Sequence, residues 1–368
     1  MKKTILITGG AGFVGSHTAD TLARQGYKIK ILDSLEPPVH QSHRWPEYIL
    51  NKGFELIKGD VSQKPVIEKA LKGVNFVYHL AAYQDQRQDF SKFFNINTAG
   101  TALLYEIIAT KKLPVKKIIL SSTQFVYGDG RYLCSHAKNE FYPEPRTISQ
   151  LQNKKWAVKC AHGFLAKFLP FQENQKLTPT NAYGLSKEAA ENLSLRLGKS
   201  YNIPTTILRY SIVQGPRQSP YNLYSGALRI FVSQALAGLP ITVYEDGNET
   251  RDFVNINDVG AANLVVLKNP ESNFGIFNVG GGRSYKVIDF AKLVKKITNS
   301  PSQIIVGSFR RTDTRHAVSD ISKLKKLGWS PKFQTNISIR DYLLWFKKSG
   351  FDKKLNRKNL IKLREGIK

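Results

Sequence analysis

Cysteine is scarce in this chain of 368 residues, and long apolar runs are missing from it. Two cysteines, Cys134 and Cys160, are too few for a disulfide framework, which points to a reducing cytoplasm. The longest uncharged apolar stretch, Val259 to Leu267, falls far short of the ~20 residues that a membrane-spanning helix needs. Lys2-Lys3 followed by Ile5-Leu6-Ile7 imitates a signal peptide only briefly, because Gly9-Gly10 ends the apolar run. There is no internal repeat, Gly-aromatic RNA-binding motif, zinc finger or basic helix with heptads, so no nucleic-acid partner is expected. Acidic residues are few as well: 28 Asp+Glu against 55 Lys+Arg, a net charge of +27. That balance fits nucleic acid, an anionic membrane face, phosphorylated small substrates or a lysine-rich proteome, so it excludes little. Its densest run is Lys347 to Lys368, with seven Lys and two Arg against Asp352 and Glu365. That run reads as a basic tail, with loose membrane attachment a minor expectation.

The composition that remains, 41% hydrophobic and 23% charged, is that of a globular protein large enough for two domains. Short β-type runs at Thr4–Thr8, Lys28–Leu32, Phe54–Lys58, Val74–Leu80 and Lys117–Leu120 alternate with helical spacing at 17–25, 64–71 and 97–109. This alternation predicts an α/β fold with a doubly wound parallel sheet covered by helices on both faces. The pattern breaks over 128–180, a segment rich in aromatic, Pro and basic residues, which reads as an insertion. Helical spacing resumes over 183–199, a strand follows over 205–208, and a helix is expected over 338–348. The predicted division is a Rossmann-like domain over 1–210, a smaller α/β substrate lobe over 211–346, and the tail over 347–368.

Gly9, Gly12 and Gly15 stand in Thr8-Gly9-Gly10-Ala11-Gly12-Phe13-Val14-Gly15, between a strand and a helix. In that context the first glycine makes a tight turn, the second admits a pyrophosphate, and the third lets helix and strand pack closely. The helix N-terminus then offers free N–H groups to an anion. Asp33 ends the second strand, where a carboxylate binds the ribose hydroxyls and repels a 2′-phosphate, so NAD is expected over NADP. Asp60-Val61 ends the third strand and is read either as an adenine contact or as a plain cap. Tyr183 and Lys187 stand four apart on a predicted helix, so phenol and ammonium share a face. A nearby lysine favours the phenolate and makes a general base. Ser121-Ser122-Thr123, at the end of an apolar strand, supplies the hydroxyl of a Ser/Thr–Tyr–Lys triad.

These motifs, with His79-Leu80-Ala81-Ala82, Asn97-Thr98-Ala99-Gly100-Thr101 and Arg251-Asp252-Phe253-Val254, resemble the extended short-chain dehydrogenases of the NAD-dependent epimerase/dehydratase family. The resemblance runs over nearly the whole chain. It implies Thr123, Tyr183 and Lys187 as catalytic residues. Around NAD it implies Gly9, Gly12, Phe13, Val14, Gly15, Asp33, Ser34, Asp60, Val61, Leu80, Ala81, Ala82, Gln84, Asn97, Ser121, Tyr183, Lys187, Tyr210 and Ser211. For a nucleotide-diphosphate sugar it implies Thr123, Arg217, Arg251 and Arg310. Family 4,6-dehydratases carry Asp-Glu after the catalytic Thr, and the decarboxylases a Glu; here Gln124-Phe125 stand there, and neither is an acid or base. Epimerisation at C4 through a 4-keto sugar is therefore expected. A ketoreductase, a C2-epimerase, a dehydratase and an NAD-sensing binding protein remain as alternatives. Ile212 departs from the Asn common at its position, which weakens the usual phosphate contact. The inserted segment resembles that of dTDP-L-rhamnose 4-epimerases, with fewer cysteines. Its Cys134-x-His136 and Cys160-x-His162 pairs make a candidate structural zinc site. The resemblance also implies a homodimer, formed through the helices over 97–109 and 183–199.

Overall fold

The computed structural model describes residues 2–85, 87–222, 226–311, 313–355 and 357–365. Gln86, Leu223, Tyr224 and Thr312 lie outside them.

Strands β1 (Thr4–Thr8), β2 (Lys28–Asp33), β3 (Glu55–Lys58), β4 (Phe76–His79) and β5 (Lys117–Thr123) build most of the main sheet. An inserted sheet of β6 (Arg131–Cys134), β7 (Glu140–Phe141) and β8 (Ala166–Leu169) intervenes, and β9 (Thr205–Tyr210) resumes the main one. The lobe adds β10 (Ile212–Gln214), β11 (Ile241–Tyr244), β12 (Thr250–Asn255), β13 (Ile276–Val279), β14 (Ser284–Lys286), β15 (Ile304–Ser308) and β16 (His316–Ala317). The main sheet has seven strands in the order β3-β2-β1-β4-β5-β9-β13, and every pairing in it is parallel. The chain leaves β1 in one direction and β4 in the other, so the cofactor crevice of such a sheet opens between these two carboxyl ends.

The central strands β4, β5 and β9 are buried along their whole length because helices cover both faces, while the edge strand β3 keeps Glu55 and Lys58 exposed. On one face α1 (Phe13–Arg24) packs against α8 (Ile256–Lys268); on the other lie α2 (Lys64–Leu71) and α4 (Gly100–Thr110). The helix expected over 97–109 begins earlier. A short α3 (Phe90–Phe93) runs through a π-helical turn (Phe94–Ala99) into α4. α5 (Ile148–Gln152) lies in the insertion, and α6 (Ala182–Ser200) carries the Tyr-x-x-x-Lys motif. The lobe packs α7 (Ala227–Leu236), α9 (Val287–Thr298) and α11 (Thr335–Lys348) around its own core, while α10 (Ser322–Lys326) lies against β13.

Two boundaries differ from the sequence reading. Residues 256–279 cross back: β13 joins the main sheet beside β9, and α8 covers α1. The division at 210 fails because a parallel strand needs a long crossover, which here runs through the lobe. The basic tail is not loose either. It forms α12 (Phe351–Lys354) and α13 (Arg357–Glu365), and Leu355 and Leu360 are buried in the lobe core.

Candidate active site

The glycine loop is shaped by close approach. A Cβ on Gly15 would lie 2.1 Å from the Gly9 carbonyl oxygen, and one on Gly9, at φ +67°, would meet Ala81 at 2.8 Å. Only glycine lets α1 start this near to β1 and β4. Asp33 binds the same loop: its carboxylate accepts from the Ala11 N–H at 3.0 Å and from the Leu35 N–H at 2.9 Å. His40 stands 3.7 Å away. Burial pushes the Asp33 carboxyl up and the His40 ring down.

A cavity of about 690 Å³ opens over this loop. Its walls include Gly9, Gly12, Phe13, Val14, Gly15, Asp33, Ser34, Asp60, Val61, Leu80, Ala81, Ala82, Gln84, Ser121, Tyr210 and Ser211. Thr123 and Tyr183 line it as well, while Asn97 and Lys187 are buried outside its wall. Asp60 Oδ1 accepts from both the N–H and the hydroxyl of Ser62 at 2.8 Å, while the N-cap of α2 is Gln63. The tight glycine turn, the helix N-terminus and the carboxylate at the end of β2 fit an adenine dinucleotide.

Thr123 ends β5 in an extended conformation and caps the short 3₁₀ turn Gln124–Tyr127. Its Oγ1 accepts from the Phe125 N–H at 3.2 Å and hydrogen-bonds the Tyr183 phenol. Lys187 follows Tyr183 by one helical turn and is 1% exposed. Burial pushes Lys187 down to about 8, against the pull of Glu191. Burial also pushes the Tyr183 phenol up, and the Thr123 hydrogen bond only partly opposes it. The lysine was expected to lower the tyrosine; in this structure burial raises it, and the opposing pull comes from Thr123. Glu191 is itself neutralised by Arg209, whose Nη2 lies 2.6 Å from its carboxylate.

A buried hydrogen-bond chain ties the glycine-loop side to α6. The Ala81 N–H donates to Thr8 Oγ1, which lies 2.9 Å from His79 Nδ1. The opposite ring nitrogen lies 3.1 Å from Thr101 Oγ1. Thr101 spends its proton on the Asn97 carbonyl at 2.6 Å, so His79 Nε2 is the donor and Nδ1 the acceptor. The Asn97 amide then clamps the Tyr83 backbone and donates to Ser186 Oγ at 2.9 Å. Ser186 in turn donates to the Tyr183 carbonyl at 2.9 Å. Asn97 thus positions the catalytic helix and does not line the cavity.

None of the three expected substrate arginines reaches the main cavity wall. Arg217 pairs with Asp20 at 2.8 Å and lies over the Tyr48 ring. Arg310 lies 4.6 Å from the Tyr244 ring centroid. Arg251 donates to the Thr250 and Arg315 carbonyls, and it borders a small neighbouring cavity with Gln124, Phe125 and Ile212. A different arginine lines the main cavity. Arg229, on α7, is 5% exposed. Its Nε has no acceptor, and its remaining hydrogen bond is a 3.4 Å contact to Asn222. Among the described residues no carboxylate pairs with it, and burial pushes it down to about 10. Its signal was legible: Arg229 precedes Val232 by three in an apolar helix, which puts a cation on the buried face.

The profile of the NAD dependent epimerase/dehydratase family matches residues 5–150 and 159–280. The chain belongs to that family. It is 31% identical to the dTDP-L-rhamnose 4-epimerase of Burkholderia thailandensis, over 97% of each chain. It is 28% identical to UDP-glucuronic acid decarboxylase 1 of Xenopus tropicalis, over 94% of this chain and 73% of that one. Among solved structures it resembles the UDP-glucose 4-epimerase of Thermotoga maritima, with a TM-score of 0.77 and 28% identity, over 94% of this chain and 99% of that one. In this family member, Gln124 and Phe125 line the cavity after Thr123, and the Phe125 ring meets the Tyr183 ring edge-on at 6.2 Å. No helix among the described residues is long and apolar enough to cross a membrane.

In the insertion, three of the four expected metal ligands converge: Cys134, Cys160 and His162. The backbone N–H of Ala137, 3.3 Å from Cys134 Sγ, helps hold that thiol down at about 7. His136 lies beside the three, its ring centroid 4.8 Å from that of His162. Its ring stacks on Phe164 at 5.1 Å between centroids.

Proposed function

We propose that this chain is a nucleotide-sugar 4-epimerase working with bound NAD. The observation that carries the reading is the Thr123–Tyr183 hydrogen bond at the cavity wall, with Gln124 and Phe125 where an acid pair is needed for elimination. Thr123 orients the sugar hydroxyl. Tyr183 takes its proton and later returns it, with Lys187 as the cation that supports the phenolate. NAD, when bound, supplies the hydride acceptor and donor at the sugar carbon. Gln124 and Phe125 offer no group to protonate a leaving hydroxyl, so the keto sugar turns over instead of losing water. Arg229 and Asn222 hold the anionic end of the substrate, taking the place expected of Arg217. Guanidinium forks suit phosphate oxygens.

We further propose a homodimer through α4 and α6. These helices pack together, and the adjoining Phe90, Phe94 and Leu185 are exposed. A cytoplasmic location is supported by two free thiols. The zinc expected from the Cys-x-His pairs takes no part in the hydride chemistry; it is proposed as a structural ion of the insertion.

Incubation with dTDP-, UDP-, GDP- and CDP-sugars, followed by NMR, tests the reaction. Inversion at C4 without net NADH is expected, and Tyr183→Phe lowers its rate by about 10²–10⁴-fold. Net NADH production overturns the reading in favour of a dehydrogenase.

A further inference from the structure

The insertion carries a cluster that the hydride chemistry leaves unused. Cys134 ends β6 and opens a tight turn: Lys138 N–H donates to its carbonyl at 3.0 Å and Ala137 N–H to its sulfur at 3.3 Å. Cys160 opens a second tight turn, closed by the Gly163 N–H on its carbonyl at 2.8 Å. The two turns face each other across the small β7-β6-β8 sheet. Both sulfurs approach one imidazole nitrogen. Cys134 Sγ lies 3.6 Å and Cys160 Sγ 4.0 Å from His162 Nδ1.

An ordinary thiol–imidazole hydrogen bond accounts for one sulfur at that nitrogen, since Nδ1 has a single in-plane lone pair or proton. The other sulfur then needs a separate contact, a thiol–thiol hydrogen bond between Cys134 and Cys160. A shared cation accounts for both. Zn–S of about 2.3 Å and Zn–N of about 2.0–2.1 Å at tetrahedral angles place S and N about 3.6 Å apart and two sulfurs about 3.8 Å apart. The three donor atoms here all lie within 4.8 Å of one another. A backbone N–H directed at a thiolate sulfur is the second-shell support that such a ligand needs. Two thiolates and an imidazole select zinc over magnesium or calcium. Both cysteines are buried, while His162 and His136 are on the exposed side, with ring centroids 4.8 Å apart.

The geometry points to a structural zinc site made by Cys134, Cys160 and His162, completed by His136, that clasps the two turns of the insertion. The clasp sits at one end of the insertion. At the other end Arg146, buried, pairs with Glu245 of the lobe at 2.8 Å and donates to the Asp313 carbonyl at 2.8 Å. With both ends fixed, the insertion is held beside the small cavity bounded by Gly128, Arg251 and Gln124. This inference does not rest on the epimerase reading.

Metal analysis of the full-length chain, purified under reducing and chelator-free conditions, tests it. About one zinc per chain is expected, and Cys160→Ser loses it. Cobalt added to the zinc-stripped chain is expected to give thiolate-to-cobalt charge-transfer bands and tetrahedral d–d bands. His136→Ala keeps the charge-transfer bands but surrenders its metal faster to a competing chelator. If Cys160→Ser fails to fold, the cobalt spectrum of the unmutated chain still decides. Less than about a tenth of an equivalent of zinc without cobalt bands overturns the site, and so does a Cys134–Cys160 disulfide in the freshly purified chain.

Discussion

At the glycine-loop end of the cavity, Thr8, Asp33, His79 and Asn97 each engage two partners within the chain. At the lobe end, Arg229 Nε and Gln218 Oε1 are buried without any. The first end is built by backbone approach and by hydrogen bonds that close around Thr8, Asp33, His79 and Asn97, with His40 Nε2 left over. The second holds a desolvated cation for which no described residue provides a counter-charge. Keeping such a charge unpaired costs several kcal/mol, which an anionic ligand recovers when it binds. The difference teaches that cofactor recognition here is written into the backbone, while substrate recognition is kept as unspent side-chain polarity.

The comparison breaks most sharply at Gly15. Gly15→Ala puts a methyl 2.1 Å from the Gly9 oxygen, so α1 must back away from β1 and take its N–H donors with it. Overpacking of this kind costs about 1–3 kcal/mol, or about 10–100-fold in NAD affinity. Gly26→Ala is the control: it sits at φ +85° with nothing within 4 Å of its Cβ. A conformational cost of about 1–2 kcal/mol in stability is expected there, with NAD affinity unchanged. Calorimetric titration with NAD checks both. Equal affinities in the two variants would show that the loop is not shaped by this contact.

At the other end, Arg229→Met is expected to raise KM for the nucleotide sugar by about 10–100-fold, the worth of a hydrogen bond to a charged group. Removing a buried unpaired charge also leaves the fold as stable or more so. Arg217→Met should leave KM within about twofold, since Arg217 pairs with Asp20 and does not reach the cavity wall. A KM that moves with Arg217 and not with Arg229 would reverse the assignment of the substrate end.

That assignment also marks where the sequence was readable. The glycine loop, Asp33, Thr123 and Tyr183 obey fixed spacings on regular elements, so their places followed from periodicity. Arg217, Arg251 and Arg310 did not, because a long flexible side chain can satisfy itself locally: on Asp20, on two carbonyls, on the Tyr244 ring. Spacing says which backbone carries a guanidinium and not which way it turns. The return of β13 to the main sheet was hidden for a related reason. A four-residue strand after a long crossover has no local signal that names its neighbour. The burial that raises Tyr183 is a property of the packed site and could not be read from Lys187 alone.

The closed network itself can be tested by acid. His79 is buried, and burial with the nearby Lys187 charge holds its pKa down at about 3, against 6.5 for the free side chain. Between those values the unfolded chain takes up a proton that the folded chain refuses, so stability falls as pH drops below 6.5. The slope is about 1.4 kcal/mol per pH unit for a single group. Protonating Nδ1 would leave the Thr8 hydroxyl without its acceptor, which is the local reason for the refusal. From pH 6.5 to 5 the wild type is therefore expected to lose about 2 kcal/mol more than His79→Gln, in which this titration is absent. Urea midpoints of both chains at the two pH values measure the difference, and other ionisable groups cancel in it. Parallel losses would mean that the network opens to let His79 charge, and that the glycine-loop end is no more closed than the end that holds Arg229.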